Sequence, residues 1–210
     1  IIPVHGVVAP GSGVNTEKFA PMAADSGDSG VRVLMATRLL WDKGVQEFIE
    51  CAERLSGKEG FTFEIAGEAD AGNPDSVPLE KIQQWHNDGA IKWLGHVDDM
   101  SSLLPLFDLV VLPSRYREGI PRILIEAAAC GLPLITTDMP GCREIVHDGK
   151  NGILVEPGNV DALEQAVLRL GVNPKLRAEY GKFGRALVQE EFGEEAVIRR
   201  TVEVYELSCS

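Results

Sequence analysis

Residues 31–67 read VRVLMATRLLWDKGVQEFIECAERLSGKEGFTFEIAG, and this stretch decides the fold class. Val31 to Ala36 is a short, mainly apolar run of the buried-strand type. From Lys43 to Leu55, Val45, Phe48, Ile49, Ala52 and Leu55 recur at helical spacing with polar residues between them. Phe61 to Ala66 is a second strand, stopped by Gly67. A strand, a helix and a second strand joined by short connections form a unit of a parallel sheet.

The same alternation continues on both sides of this stretch. A loop at 67–78 rich in Gly, Asp and Pro precedes a helix near 79–87. Further elements are a strand at 91–94, a short helix at 100–106, a strand at 108–112 and an apolar helix at 121–130. Strands at 134–137 and 152–155 follow, then helices at 160–170, 174–190 and 194–207. The strands are continuous apolar runs, as expected when helices cover both faces of the sheet. Residues 1–30 lack a sustained period and read as an interdomain lead-in. Residues 31–190 read as one α/β domain and 191–210 as a C-terminal helix.

The 210 residues suit one well-buried domain and are too few for two. A net charge of -12 argues against nucleic acid as a partner, since that affinity rests on Lys and Arg neutralising phosphates. A small cluster of cations can still hold one anion, because exposed charges beyond roughly 10 Å are largely screened. Cys51, Cys130, Cys142 and Cys209 form no CxxC pair and the four His stand singly, so no metal site is expected. No apolar run reaches the ~20 residues that span a bilayer. The chain opens on Ile1-Ile2-Pro3-Val4 without Met or a basic leader. We therefore expect a cytoplasmic protein and a cut inside a longer one.

In doubly wound sheets ligands bind beyond the carboxyl ends of the strands, so the residues after each strand carry the functional reading. Arg38 and Lys43 follow the first strand. Two cations beside a helix start suit a diphosphate; they equally suit a solvated surface, with Arg38 paired to Asp42. After the fourth strand comes PSRYREGIPRILIEA (113–127). Gly119 permits close backbone approach, Pro121 fits a first helical turn, and free amides there can receive an anion. Glu126 lies in an otherwise apolar helix, where a carboxylate is costly unless it is paired or reaches a ligand. It can share a cleft with Glu118 and hold a ribose diol, or be a buried ion pair.

Glu118 and Glu126, followed by AAACGLPLITTDMPGCREIVHDGKNGILVEPG, resemble the E-x7-E segment of family-4 retaining glycosyltransferases. RLLWDKG (38–44), WLGH (93–96) and PGSGV (10–14) extend the likeness over nearly the whole chain. The resemblance implies a Rossmann-like doubly wound parallel sheet with extra C-terminal helices, one half of a GT-B fold. It implies that Arg38 and Lys43 hold the donor diphosphate and that Glu118 bonds hydroxyls of the transferred sugar. Backbone at Gly119, Ile120 and Arg122 would line the phosphates, Ser114 and Pro121 would belong to the donor-binding site, and Glu126 would hold the ribose. Gly67 would border the cleft, and Leu94 and His96 would lie near the base. Pro121 departs from relatives that carry Gly there, which removes one amide donor.

The resemblance further implies a nucleoside-diphosphate sugar as partner and a metal-independent reaction without a cofactor. An N-terminal domain would supply the acceptor site. LLWDKGV, AGNPDSVP (71–78) and YREGIPR look like bacterial enzymes that extend polyprenyl-diphosphate-linked glycans at the cytoplasmic membrane face, often from UDP-N-acetylhexosamines. Two alternatives stand beside this reading: a non-catalytic nucleotide-sugar-binding protein, and a GT-B phosphorylase or synthase acting on free sugars. A dehydrogenase is disfavoured, because Gly11-Ser12-Gly13 lacks the third glycine of the dinucleotide turn and its strand–helix setting.

Overall fold

The computed structural model describes residues 13–22, 30–55, 60–117 and 119–208. Six strands form one parallel sheet: β1 (Val31–Ala36), β2 (Phe61–Ala66), β3 (Lys92–Trp93), β4 (Leu109–Leu112), β5 (Leu134–Thr137) and β6 (Gly152–Val155). Their order is β3-β2-β1-β4-β5-β6. Pairing runs from β1 toward β2 and β3 on one side and toward β4, β5 and β6 on the other. The order reverses between β1 and β4, where Val33 pairs with Leu109 and Leu34 with Val110. Connections leaving in opposite directions from that point open a crevice beyond the carboxyl ends of β1 and β4.

Eight helices occur among the described residues: α1 (Val45–Leu55), α2 (Leu79–Asn87), α3 (Met100–Leu103), α4 (Arg122–Ala129), α5 (Cys142–Ile145), α6 (Val160–Gly171), α7 (Pro174–Leu187) and α8 (Glu194–Ser208). α1 packs against α6, while α4 packs against α5 and α7. Burial follows the sequence pattern: Val33, Leu34, Phe48, Ala52, Leu55, Leu109, Val110, Leu124 and Ile135 are all fully excluded from solvent. Fully burying side chains of this kind contributes about 1.5–3 kcal/mol each, and this is what holds the helices on the sheet. Glu64, inside β2, is buried beside Arg32 (2.7 Å) and Lys92 (3.2 Å), which neutralise its carboxylate.

Several boundaries differ from expectation, each for a local reason. The helix expected from Lys43 starts at Val45; Trp41–Lys43 form a 3-10 turn closed by Gly44 at φ 80. A side chain at Gly44 would run into the Pro113 carbonyl, so glycine lets this turn reach the end of β4. Leu104–Leu106 are 3-10 rather than α, with Pro at the start. The helix expected to begin at Pro121 begins at Arg122, with Pro121 extended (φ -63, ψ 121) at the cap. α7 gives way to a π-helical turn at Val188–Phe192, and α5 was too short for periodicity to show. In the expected lead-in, Val14 and Phe19 are buried, and Val14 bridges to Gly193.

Asp99 starts α3: its carboxylate accepts from the backbone N–H of Ser101 (3.1 Å) and Ser102 (3.3 Å) and from both serine hydroxyls. The hydroxyl bonds, chiefly from Ser101, pull this carboxyl down from 3.8 to about 2. A lowered folded-state pKa contributes stability that is present above about pH 4 and is lost as pH falls toward 2. Thermal melts of Asp99→Ala should therefore show a deficit against the wild type at pH 6 that shrinks below pH 4. A deficit independent of pH would contradict the cap.

Candidate donor-binding cleft

The crevice at the strand-order reversal has two lobes. The larger, about 470 Å³, lies over the carboxyl ends of β1 and β2, with Arg38, Gly67, Asp70, His96, Ile123 and Glu126 in its wall. The smaller, about 220 Å³, lies over β1 and β4 and is lined by Thr37, Arg38, Lys43, Pro121, Arg122 and Ile123. Ala36, Thr37, Arg38 and Ile123 line both, so the lobes adjoin.

Three local features shape this cleft. Gly67 has φ 140, and a side chain there would strike the Thr37 carbonyl. Its N–H donates to Gly95 O (2.8 Å), and the Trp93 indole N–H donates to its carbonyl (2.9 Å). Asp75 holds the 3-10 turn: its carbonyl accepts from Trp41 N–H (2.9 Å), and its carboxylate accepts from Asp42 N–H (2.8 Å). Arg122 and Ile123, the first residues of α4, line the smaller lobe, and the first amides of a helix have no intrahelical acceptor.

The two cations differ in setting. Lys43 is 6% exposed, with its ammonium 5.6 Å from the centre of the Tyr116 ring. Arg38 is 68% exposed at its side chain and lies 3.9 Å from Asp70, not beside Asp42. Glu126 is buried and pairs with Arg122 at 2.7 Å while also lining the larger lobe. Glu126 is therefore an ion-paired carboxylate in the wall of the larger lobe. His96 lies at the rim, its Nε2 3.1 Å from Asp98.

The structure brings Arg38, Lys43, Gly67, His96, Pro121, Arg122 and Glu126 to the cleft. Ser114 is fully buried, where its hydroxyl accepts from Tyr116 N–H (3.3 Å) and holds loop backbone. Leu94 and Ile120 pack on the core, and Gly119 borders open space. Glu118 lies outside the described residues, as does Cys209. Sequence reasoning missed Thr37, Asp70, Met100 and Ile123, which line the larger lobe. The rule that ligands sit beyond strand ends could have found Thr37, one residue past β1; nothing local marks Ile123, an ordinary apolar helix residue.

Asp98 and Asp99 turn to different partners, His96 and the α3 start. Among the described residues no group of three or more His, Cys, Asp or Glu converges on a point that could hold a metal. Cys51, Cys130 and Cys142 are buried. Burial pushes the Cys130 thiol up to about 12, so it stays protonated and unreactive at neutral pH. No helix among the described residues is long and apolar enough to cross a membrane.

A doubly wound parallel sheet with cations and a carboxylate beside its switch point is an α/β domain of the kind that binds ligands beyond the carboxyl ends of its strands. The glycosyl transferases group 1 family model matches residues 23–187, and the chain belongs to that family. It is 33% identical over 205 residues to the N,N'-diacetylbacillosaminyl-diphospho-undecaprenol alpha-1,3-N-acetylgalactosaminyltransferase of Campylobacter jejuni, a match covering 92% of this chain and 52% of that protein. It resembles the crystal structure of the C-terminal domain of a glycosyl transferase group 1 family protein (LpcC) from Francisella tularensis, with a TM-score of 0.71 and 26% identity over 87% of this chain and all of that one. Anabaena Alr3699/HepE, solved in complex with UDP, shares the fold at a TM-score of 0.81 and 21% identity, over 92% of this chain and 56% of that one. The chain spans about half the length of the curated relatives it matches.

Proposed function

We propose that this chain is the donor-binding half of a retaining glycosyltransferase that moves a sugar from a nucleoside diphosphate to an acceptor hydroxyl. The donor is a UDP-hexose or UDP-N-acetylhexosamine. The observation that carries this reading is the pair of adjoining lobes: the smaller is lined by Arg38, Lys43 and the first residues of α4, and the larger by Glu126 and His96 among others. The diphosphate occupies the first lobe and the nucleoside the second, where Glu126 accepts from the ribose hydroxyls. In the reaction the bond from the anomeric carbon to the diphosphate oxygen breaks, one to the acceptor oxygen forms, and the proton of the acceptor hydroxyl passes to the departing diphosphate. Charge growing on the leaving group is met by Lys43, Arg38 and backbone amides, without a metal ion or cofactor. Glu118 positions the transferred sugar.

The acceptor in this proposal is a glycan or a polyprenyl-diphosphate-linked saccharide at the cytoplasmic membrane face, bound by an N-terminal domain of the same protein. Support comes from the Campylobacter jejuni relative, whose name specifies a diphospho-undecaprenol acceptor and an N-acetylgalactosaminyl group. Calorimetric titration with UDP-, GDP- and ADP-sugars tests the donor. The expected result is preferential binding of a UDP-sugar, weakened about tenfold to a hundredfold by Glu126→Ala, since a hydrogen bond to a charged group is worth roughly 1.5–3 kcal/mol. If no nucleotide sugar bound at millimolar concentration, the cleft assignment would be wrong.

A further inference from the structure

Glu47 is a buried charge that the proposed chemistry does not use. It stands in the first turn of α1, four residues after Lys43, with 2% of its side chain exposed. Its ion-pair partner is Arg115, two residues after Pro113 in the loop that leaves β4. An ionised carboxylate held this deeply is costly unless it is matched, so the pairing constrains both segments.

The two segments it joins each bring residues to the smaller lobe: Lys43 from one, and Leu112 and Pro121 at the two ends of the other. One is the 3-10 turn that carries Lys43. The other is the loop that runs from β4 through Tyr116 to the start of α4. Backbone contacts converge at the same seam: Arg115 N–H donates to Asp42 O (2.8 Å), and Gly44 packs without a side chain against Pro113. The Thr137 hydroxyl donates to Ser114 O, tying the loop to the end of β5. Tyr116, next to Arg115, is the residue whose ring faces the Lys43 ammonium. Arg115 also reaches across to Gly158, beyond β6.

We infer that the Glu47–Arg115 pair is a latch that sets the spacing between the Lys43 turn and the α4 entry loop before the donor arrives. Glu47 and Arg115 are positioning residues; neither lines the cleft. The latch lowers the cost of ordering the diphosphate lobe, because a preformed site loses less freedom on binding. This inference rests on the reading of that lobe as the diphosphate site.

The test is calorimetry with UDP on the full-length protein, comparing the wild type with Glu47→Gln, Arg115→Gln, the double variant, Arg115→Lys and Lys43→Ala. Each measurement is made well below every variant's Tm. The latch predicts that Glu47→Gln and Arg115→Gln each weaken UDP binding about tenfold and that the double variant is no weaker than either, because both remove one coupling. Arg115→Lys keeps the charge and stays within about threefold of the wild type. A merely structural pair would lower Tm and leave the UDP affinity unchanged, and that result overturns the latch while Lys43→Ala still loses binding. Should the buried Glu47→Gln fail to fold, half-exposed Arg115 provides the same comparison through its Gln and Lys variants. If the wild type does not bind UDP, or Lys43→Ala binds it as well as the wild type, the lobe assignment falls and the latch with it.

Discussion

Lys43→Ala in the full-length protein should lower sugar transfer by about a hundredfold to a thousandfold while leaving the fold intact, the range found when one preorganised oxyanion-stabilising donor is removed. The size of the effect comes from burial. Lys43 is 6% exposed, so its charge acts through a medium of lower dielectric than water, where a unit charge interacts several times more strongly. Arg38 makes the comparison. Its side chain is 68% exposed and held only loosely by Asp70 at 3.9 Å, and water and salt screen it. Arg38→Ala should therefore cost about tenfold, well short of Lys43→Ala. Steady-state rates with a UDP-sugar, read beside circular dichroism, decide the matter. Near-normal turnover for Lys43→Ala would remove the diphosphate role from the mechanism.

The second large effect is on stability. Gly67→Ala should destabilise the protein by about 2–4 kcal/mol, because a residue with a side chain is strained at φ 140 and its Cβ meets the Thr37 carbonyl. Neither neighbour can yield easily. Thr37 N–H donates to Ala66 O (3.1 Å), continuing the β1–β2 ladder, and Gly67 is held on both sides by Gly95 and Trp93. Gly89→Ala is the control: φ is also positive, at 79, but nothing lies within 4 Å, so the cost should stay near 1 kcal/mol. Denaturant unfolding of both variants separates strain from collision. Equal losses would show that the close approach to Thr37 carries no weight.

Much of the architecture was legible because it depends on local periodicity. The apolar run Val31–Ala36, the helical spacing from Val45 to Leu55 and the strand at Phe61–Ala66 are each set by which side chains must leave water. Their alternation implies parallel pairing, and the observed order β3-β2-β1-β4-β5-β6 follows that logic. Boundaries were less legible. Lys43 reads as a helix residue, yet it ends a 3-10 turn that Gly44 closes in the left-handed region, packing without a side chain against Pro113. No periodicity encodes that contact; it depends on a residue about seventy positions away. Ser114 sits in the densest motif of the chain, but the structure uses its hydroxyl on backbone at complete burial.

The sequence by itself determined the class of fold, the family likeness and the chemical types at the strand ends: two cations, a helix start and a carboxylate inside an apolar helix. These are properties of residue type and short spacing. Only the tertiary structure decided how those groups are weighted and joined. It buried Lys43 and left Arg38 in solvent, gave Glu126 to Arg122 and the larger lobe together, and bound Glu47 to Arg115 across 68 positions of chain. The reason is physical. Burial and long-range pairing depend on how β1 and β4 meet at the switch point, and that meeting is a sum over the whole sheet rather than a feature of any one segment.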